Sequence, residues 1–103
     1  MVRREPHARL HLVATALVLG LAFWFRCSPV EWALLLLAIA AVWAAEALNT
    51  AIERLCDRVQ PEPEIRIREI KDVAAGGVLA ASLAALGVGV AIFGPKLLAF
   101  LWP

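Results

Sequence analysis

Charge is sparse in this 103-residue sequence: 18% of its residues are Asp, Glu, Lys or Arg against 62% apolar, and the formal net charge is only +1. A chain this close to neutral lacks the basic footprint on which nucleic-acid binding depends. Cysteine is scarce too. Cys27 and Cys56 stand alone, without a CxxC spacing or a neighbouring His, which excludes a thiolate metal centre. They also fall toward opposite ends of the predicted fold, which argues against an intrachain disulfide. No GxxxxGK[ST] phosphate loop and no HExxH pair occurs, so a P-loop enzyme and a zinc hydrolase are both excluded. The GVG at 87–89 lies too deep in an apolar run to serve as a nucleotide loop. The first apolar run lacks a small-x-small cleavage site, since Phe23, Trp24, Phe25 and Arg26 follow it, so the N-terminal segment reads as a retained helix and not a signal peptide.

What is present is hydrophobic length. Mean hydropathy is +0.78, and the few charges gather at the ends of apolar segments, which makes a bilayer the expected solvent. The chain reads as one domain, residues 1–103, of the all-α membrane class, with spans at about 8–26, 30–56 and 70–94. Between the first two, Ser28, Pro29 and Glu31 have the spacing of a helix start with a capping box. The second helix meets no breaker until Pro61 and Pro63, so it is expected to leave the hydrocarbon near Ile52 and run on into water. Gly94 and Pro95 are expected to end or kink the third. Arg3, Arg4 and Arg9 precede the first span, only Arg26 separates the first from the second, and Arg54, Arg58, Arg66, Arg68 and Lys71 separate the second from the third. This asymmetry places the N-terminus and the second loop in the cytoplasm. Small residues crowd the third span, among them Gly76, Gly77, Ala80, Ala81 and Ala84, and such faces let membrane helices approach closely, here from another subunit.

The stretch EALNTAIERLCD (46–57) carries acids into this apolar setting. Glu46, Asn49, Glu53 and Asp57 recur at helical spacing, so they fall within about 80° of one another and extend over roughly 16 Å of helix. Acids aligned on one face repel unless a cation, a basic side chain or a proton compensates them, and a carboxylate as near the hydrocarbon as Glu46 is costly without a purpose. Lys71 and Asp72 open the third span at the same level. Carboxylates that hold a divalent metal, a lysine that neutralises phosphoryl oxygens and a further carboxylate that accepts a hydroxyl proton are the parts of a phosphoryl-transfer site. The residues also suit a non-catalytic membrane assembly protein whose acidic stripe binds partners, and Glu46 also suits a titrating group of a transporter, although the chain lacks the inverted repeats of that class.

AAEALNTAIERLCDRV, the Pro/Glu-containing link and IKDVAAGGVLAA together resemble the prokaryotic diacylglycerol kinase family, which includes undecaprenol kinases; the likeness runs from Glu5 to about Pro95. The resemblance implies a homotrimer of three-span subunits in the bacterial inner membrane, with composite sites at the cytoplasmic interface and ATP-dependent, magnesium-assisted phosphorylation of a lipid alcohol. By motif position it implies that Glu46 is the general base toward the lipid hydroxyl, that Glu53 binds the metal with Glu5 as partner carboxylate, and that Asn49 and Asp57 line the site. It further implies that Lys71 and Asp72 engage ATP and that Arg9 has a structural or lipid-headgroup role. Only MVRR stands before Glu5, where family members carry an amphipathic surface helix, so most of that helix is expected to be missing. A degenerate homologue that only binds partners is the alternative this departure suggests.

Overall fold

The computed structural model describes residues 6–102, with side chains from Ala8 onward, and Glu5 lies outside the described residues. It consists of three helices: α1 (Pro6–Trp24), α2 (Pro29–Val59) and α3 (Ile65–Leu101). They form a slender body of 58 × 24 × 22 Å. α3 lies along α2 for much of its length, whereas α1 touches α2 in fewer places.

Each boundary has a local cause. α1 closes with a Schellman motif, in which the Cys27 N–H donates to the Ala22 carbonyl at 3.0 Å and the Arg26 N–H to the Phe23 carbonyl at 3.2 Å. Arg26 therefore holds the left-handed position, with φ of 53°, that glycine fills most easily. The left-handed region costs an L-residue about 1–2 kcal/mol, part of which a glycine gives back through its freer unfolded chain. Arg26→Gly is expected to raise stability by up to about 1 kcal/mol, read as a higher midpoint of thermal unfolding in detergent.

Ser28 then caps α2 as its spacing predicts: the Glu31 N–H donates to Ser28 Oγ at 3.2 Å, and the Ser28 N–H donates to Glu31 Oε1 at 2.9 Å. α2 continues past Glu46, Asn49, Glu53 and Asp57 and stops at Val59, just before Pro61 and Pro63.

Of the two outcomes expected at Gly94 and Pro95, an end to α3 does not occur; the helix passes through Pro95 to Leu101. A proline in a helix interior removes one hydrogen bond and crowds the preceding turn, but contacts on both sides hold the chain in place here. The Phe25 ring lies 6.2 Å from Phe93 and 6.3 Å from Phe100, straddling the proline, and Lys96 Nζ reaches Glu31 Oε1 at 3.1 Å. The first turns of α3 absorb the charged IRIREIK stretch from Ile65 onward.

The core is small. Ala22, Leu35 and Ile92 are buried, one from each helix, with Val18, Cys27, Trp32, Val88 and Phe93 packed around them near the α1–α2 turn. Elsewhere large apolar side chains such as Leu12, Leu37, Val73, Leu86 and Phe100 lie more than half exposed. α2 and α3 are long and apolar enough to cross a membrane, and only 6% of each apolar window is buried inside the chain, which is not how a soluble protein treats its core helices. α1 supplies a shorter apolar stretch, Ala8–Trp24. The helices therefore show their greasy faces outward, as expected where lipid or other protein is the surrounding solvent.

Burial at the turn raises the Cys27 thiol above the ordinary cysteine range, and the nearby Glu31 charge pushes it the same way. Because the thiolate is the reactive form, maleimide labelling of Cys27 near neutral pH is expected to be slower than for a free cysteine, and to quicken in Glu31→Gln.

Candidate active site

The first three members of the polar stripe of α2 form one wall of an open groove of ≈ 660 Å³, within the range of about 300–1,000 Å³ usual for small-molecule sites. Glu46, Asn49 and Glu53 line it together with Arg54; α1 contributes Ala8 and His11, and α3 contributes Ala75 and Val78. The small side chain at Ala75 leaves the space open that a larger residue on α3 would fill.

Glu46 is only 22% exposed, and it is paired. His11 Nε2 lies 2.7 Å from Glu46 Oε2, and His11 is 23% exposed. A chain of contacts sets the histidine in place. Thr15 Oγ1 donates to the His11 backbone carbonyl at 2.7 Å, Trp43 Nε1 donates to Thr15 Oγ1 at 2.9 Å, and the Trp43 ring lies tilted against His11 with centroids 6.1 Å apart. α1 is thus tied to α2 by polar links at this level more than by packing. A narrower apolar crevice, walled by Val18, Leu35, Ile39 and Val42 among others, meets the groove at His11 and Trp43, which line both.

Asn49 keeps a buried Oδ1 that accepts no hydrogen bond from the described residues. Such an orphan costs about 1–3 kcal/mol, so the groove holds an acceptor waiting for a donor. Glu53 is exposed on the same wall and makes no ion pair with the described residues. Among the described residues no group of three or more His, Cys, Asp or Glu converges as a metal cage.

The remaining expected site residues lie elsewhere. Lys71 Nζ donates to Asp57 Oδ1 at 2.6 Å across the α2–α3 connection. That pair lines another hollow with Gln60, Pro61 and Arg68, further along α2 than the groove. Asp72 is exposed and lines neither hollow, and neither does the exposed Arg9. Glu5 falls outside the described residues. The structure thus gathers Glu46, Asn49 and Glu53 in one place and sets Lys71 with Asp57 at a neighbouring one. His11, Thr15 and Trp43 are the additions that sequence reasoning missed. An exposed pair such as Lys71–Asp57, with side chains 33% and 65% exposed, contributes little to stability, so Asp57→Asn is expected to leave the unfolding midpoint nearly unchanged. Thermal melting compared with that of the unmodified chain checks this.

A groove with a paired carboxylate, a free carboxylate and an unsatisfied amide oxygen, set at the polar end of apolar helices, can bring a lipid headgroup and a charged soluble molecule together. Residues 1–93 match the profile of the family described as prokaryotic diacylglycerol kinase. The chain is also 34% identical over 95 residues to an undecaprenol kinase of Bacillus subtilis (strain 168), an alignment covering 92% of this chain and 77% of that relative. No solved structure matches it significantly.

Proposed function

The chain belongs to the prokaryotic diacylglycerol kinase family and is a lipid kinase, and from that premise we propose that it transfers the γ-phosphoryl group of ATP directly to the hydroxyl of a membrane lipid alcohol, undecaprenol or diacylglycerol. The observation that carries the reading is the groove itself: three of the four residues aligned by spacing, Glu46, Asn49 and Glu53, line one hollow, at the polar end of helices that expose lipid-loving faces along the rest of their length. The relative is named for undecaprenol, which puts a polyprenol first among acceptors.

In this mechanism Glu46 accepts the proton of the lipid hydroxyl as the oxygen attacks the γ-phosphorus. The new O–P bond forms as the bond from the γ-phosphorus to the bridging oxygen breaks, and ADP leaves with that electron pair. Asn49 Oδ1 takes a hydrogen bond from a substrate donor. Lys71, with Asp57 and Asp72 near it in sequence or space, meets the polyphosphate on the aqueous side, and Arg9 meets the headgroup region. Magnesium suits the donor set, because Mg²⁺ uses one or two carboxylates and otherwise keeps water and phosphate oxygens; Glu53 is free to serve, with Glu5 as its partner. When bound, the ion would neutralise charge gathering on the transferred group.

The whole chain acts as one kinase domain with three crossings, N-terminus in the cytoplasm, in the bacterial inner membrane. It works as a homotrimer. A Cβ added at Gly76, Gly77 or Gly87 would meet nothing within 4 Å among the described residues, so their packing does not need these small residues, whereas a close-packed neighbouring copy does. Native mass spectrometry in detergent is expected to report three copies.

Incubation of the protein in vesicles with labelled ATP and a panel of undecaprenol, shorter polyprenols and diacylglycerol tests the activity and the acceptor together. Labelled lipid phosphate is the expected product. Its absence across the panel would sink the kinase mechanism and leave the acidic stripe as a partner-binding surface.

A further inference from the structure

We infer that His11 is a positioning residue for Glu46, fixing one carboxylate oxygen so that the other is held ready for the lipid hydroxyl; the inference rests on Glu46 acting as the base. The geometry is specific. With Glu46 ionised, His11 Nε2–H donates to Oε2 at 2.7 Å, while Oε1 makes no hydrogen bond with the described residues. A glutamate on a helix has three rotatable side-chain bonds, and a base that wanders between rotamers rarely meets its proton at the right angle. Anchoring one oxygen removes most of that freedom before substrate arrives.

The anchor is itself held. Thr15 binds the backbone carbonyl of His11, Trp43 binds Thr15, and the Trp43 indole packs beside the imidazole. Every link in this chain joins α1 to itself or to α2, and together they set the register between the helix that carries His11 and the helix that carries Glu46. His11 and Trp43 also stand where the apolar crevice opens into the groove. A lipid chain lying in the crevice therefore presents its polar end beside the oriented carboxylate.

The test is a set of variants assayed in vesicles with labelled ATP and undecaprenol, with nucleotide KM and thermal midpoint measured in parallel. His11→Ala is expected to lower kcat by about 10–100-fold, the scale of loss that follows a misplacement of about 1 Å, with the KM for ATP within about threefold of the unmodified enzyme. His11→Gln, whose amide nitrogen reaches the same point as Nε2, is expected to restore most of the rate. His11→Asn, whose amide falls short, is expected not to, so the Gln and Asn pair decides the matter even where the Ala variant does not fold. In a Glu46→Asp background the shortened carboxylate already breaks the contact, and adding His11→Ala is expected to cost less than about twofold more. Equal losses from His11→Ala in both backgrounds, or equal rates for Gln and Asn, would overturn the positioning role while leaving the kinase intact. An unmodified enzyme that phosphorylates no lipid alcohol would bring down the proposed function, and this inference with it.

Discussion

Glu46→Gln is expected to cut lipid phosphorylation by about 10²–10⁴-fold, the range that general-base catalysis supplies, with nucleotide affinity unchanged within a few fold. The substitution is close to a clean subtraction. Glutamine has the same length, and its amide oxygen still accepts from His11 Nε2, which sits 2.7 Å from the native carboxylate, so the tie between α1 and α2 survives and only the basicity goes. Calorimetric titration with the nucleotide and magnesium separates binding from turnover. Near-normal turnover in Glu46→Gln would show that another group takes the hydroxyl proton.

Glu53→Gln is expected to lose about 10²–10³-fold at millimolar magnesium, since a metal contributes several kcal/mol of charge stabilisation in phosphoryl transfer and each factor of ten corresponds to about 1.4 kcal/mol. Here the signature differs from that of Glu46. Raising the magnesium concentration is expected to recover part of the Glu53→Gln rate, because an ion held by Glu53 would lose only one protein oxygen of its ligand set; magnesium is expected not to rescue Glu46→Gln. A Glu53→Gln enzyme with an unaltered magnesium requirement would move the metal away from this wall of the groove.

The two acids were readable because their geometry is local. Helical spacing alone aligns Glu46, Asn49 and Glu53, and nothing between Ala45 and Pro61 interrupts the helix that carries them. The start of α2 was equally plain, since a capping box is written within four consecutive residues, Ser28 to Glu31. What escaped depends on residues far apart in the chain. His11 meets Glu46 across 35 positions, and only the register between two helices makes a histidine at the edge of an apolar run into a partner for an acid. The continuation of α3 through Pro95 was hidden for the same reason, because Phe25, in the turn after α1, supplies the ring that packs against Phe93 and Phe100 on either side of the proline. Arg26 in a left-handed conformation went unseen because the expected marker of that position is a glycine.

The length of α2 has a consequence for the host membrane. Its 31 residues make a rod of about 46 Å, well beyond a hydrocarbon slab of about 30 Å. Glu46 comes roughly 26 Å along that rod from its start, near the far boundary of the slab. Acyl chains a few carbons shorter would thin the slab and lift the carboxylate toward the headgroups, while longer ones would submerge it or force the rod to lean. With Glu46 as the proposed base, acyl length is expected to act on the rate through hydrophobic mismatch, and a cell remodelling its fatty acids would reset the immersion depth of that carboxylate.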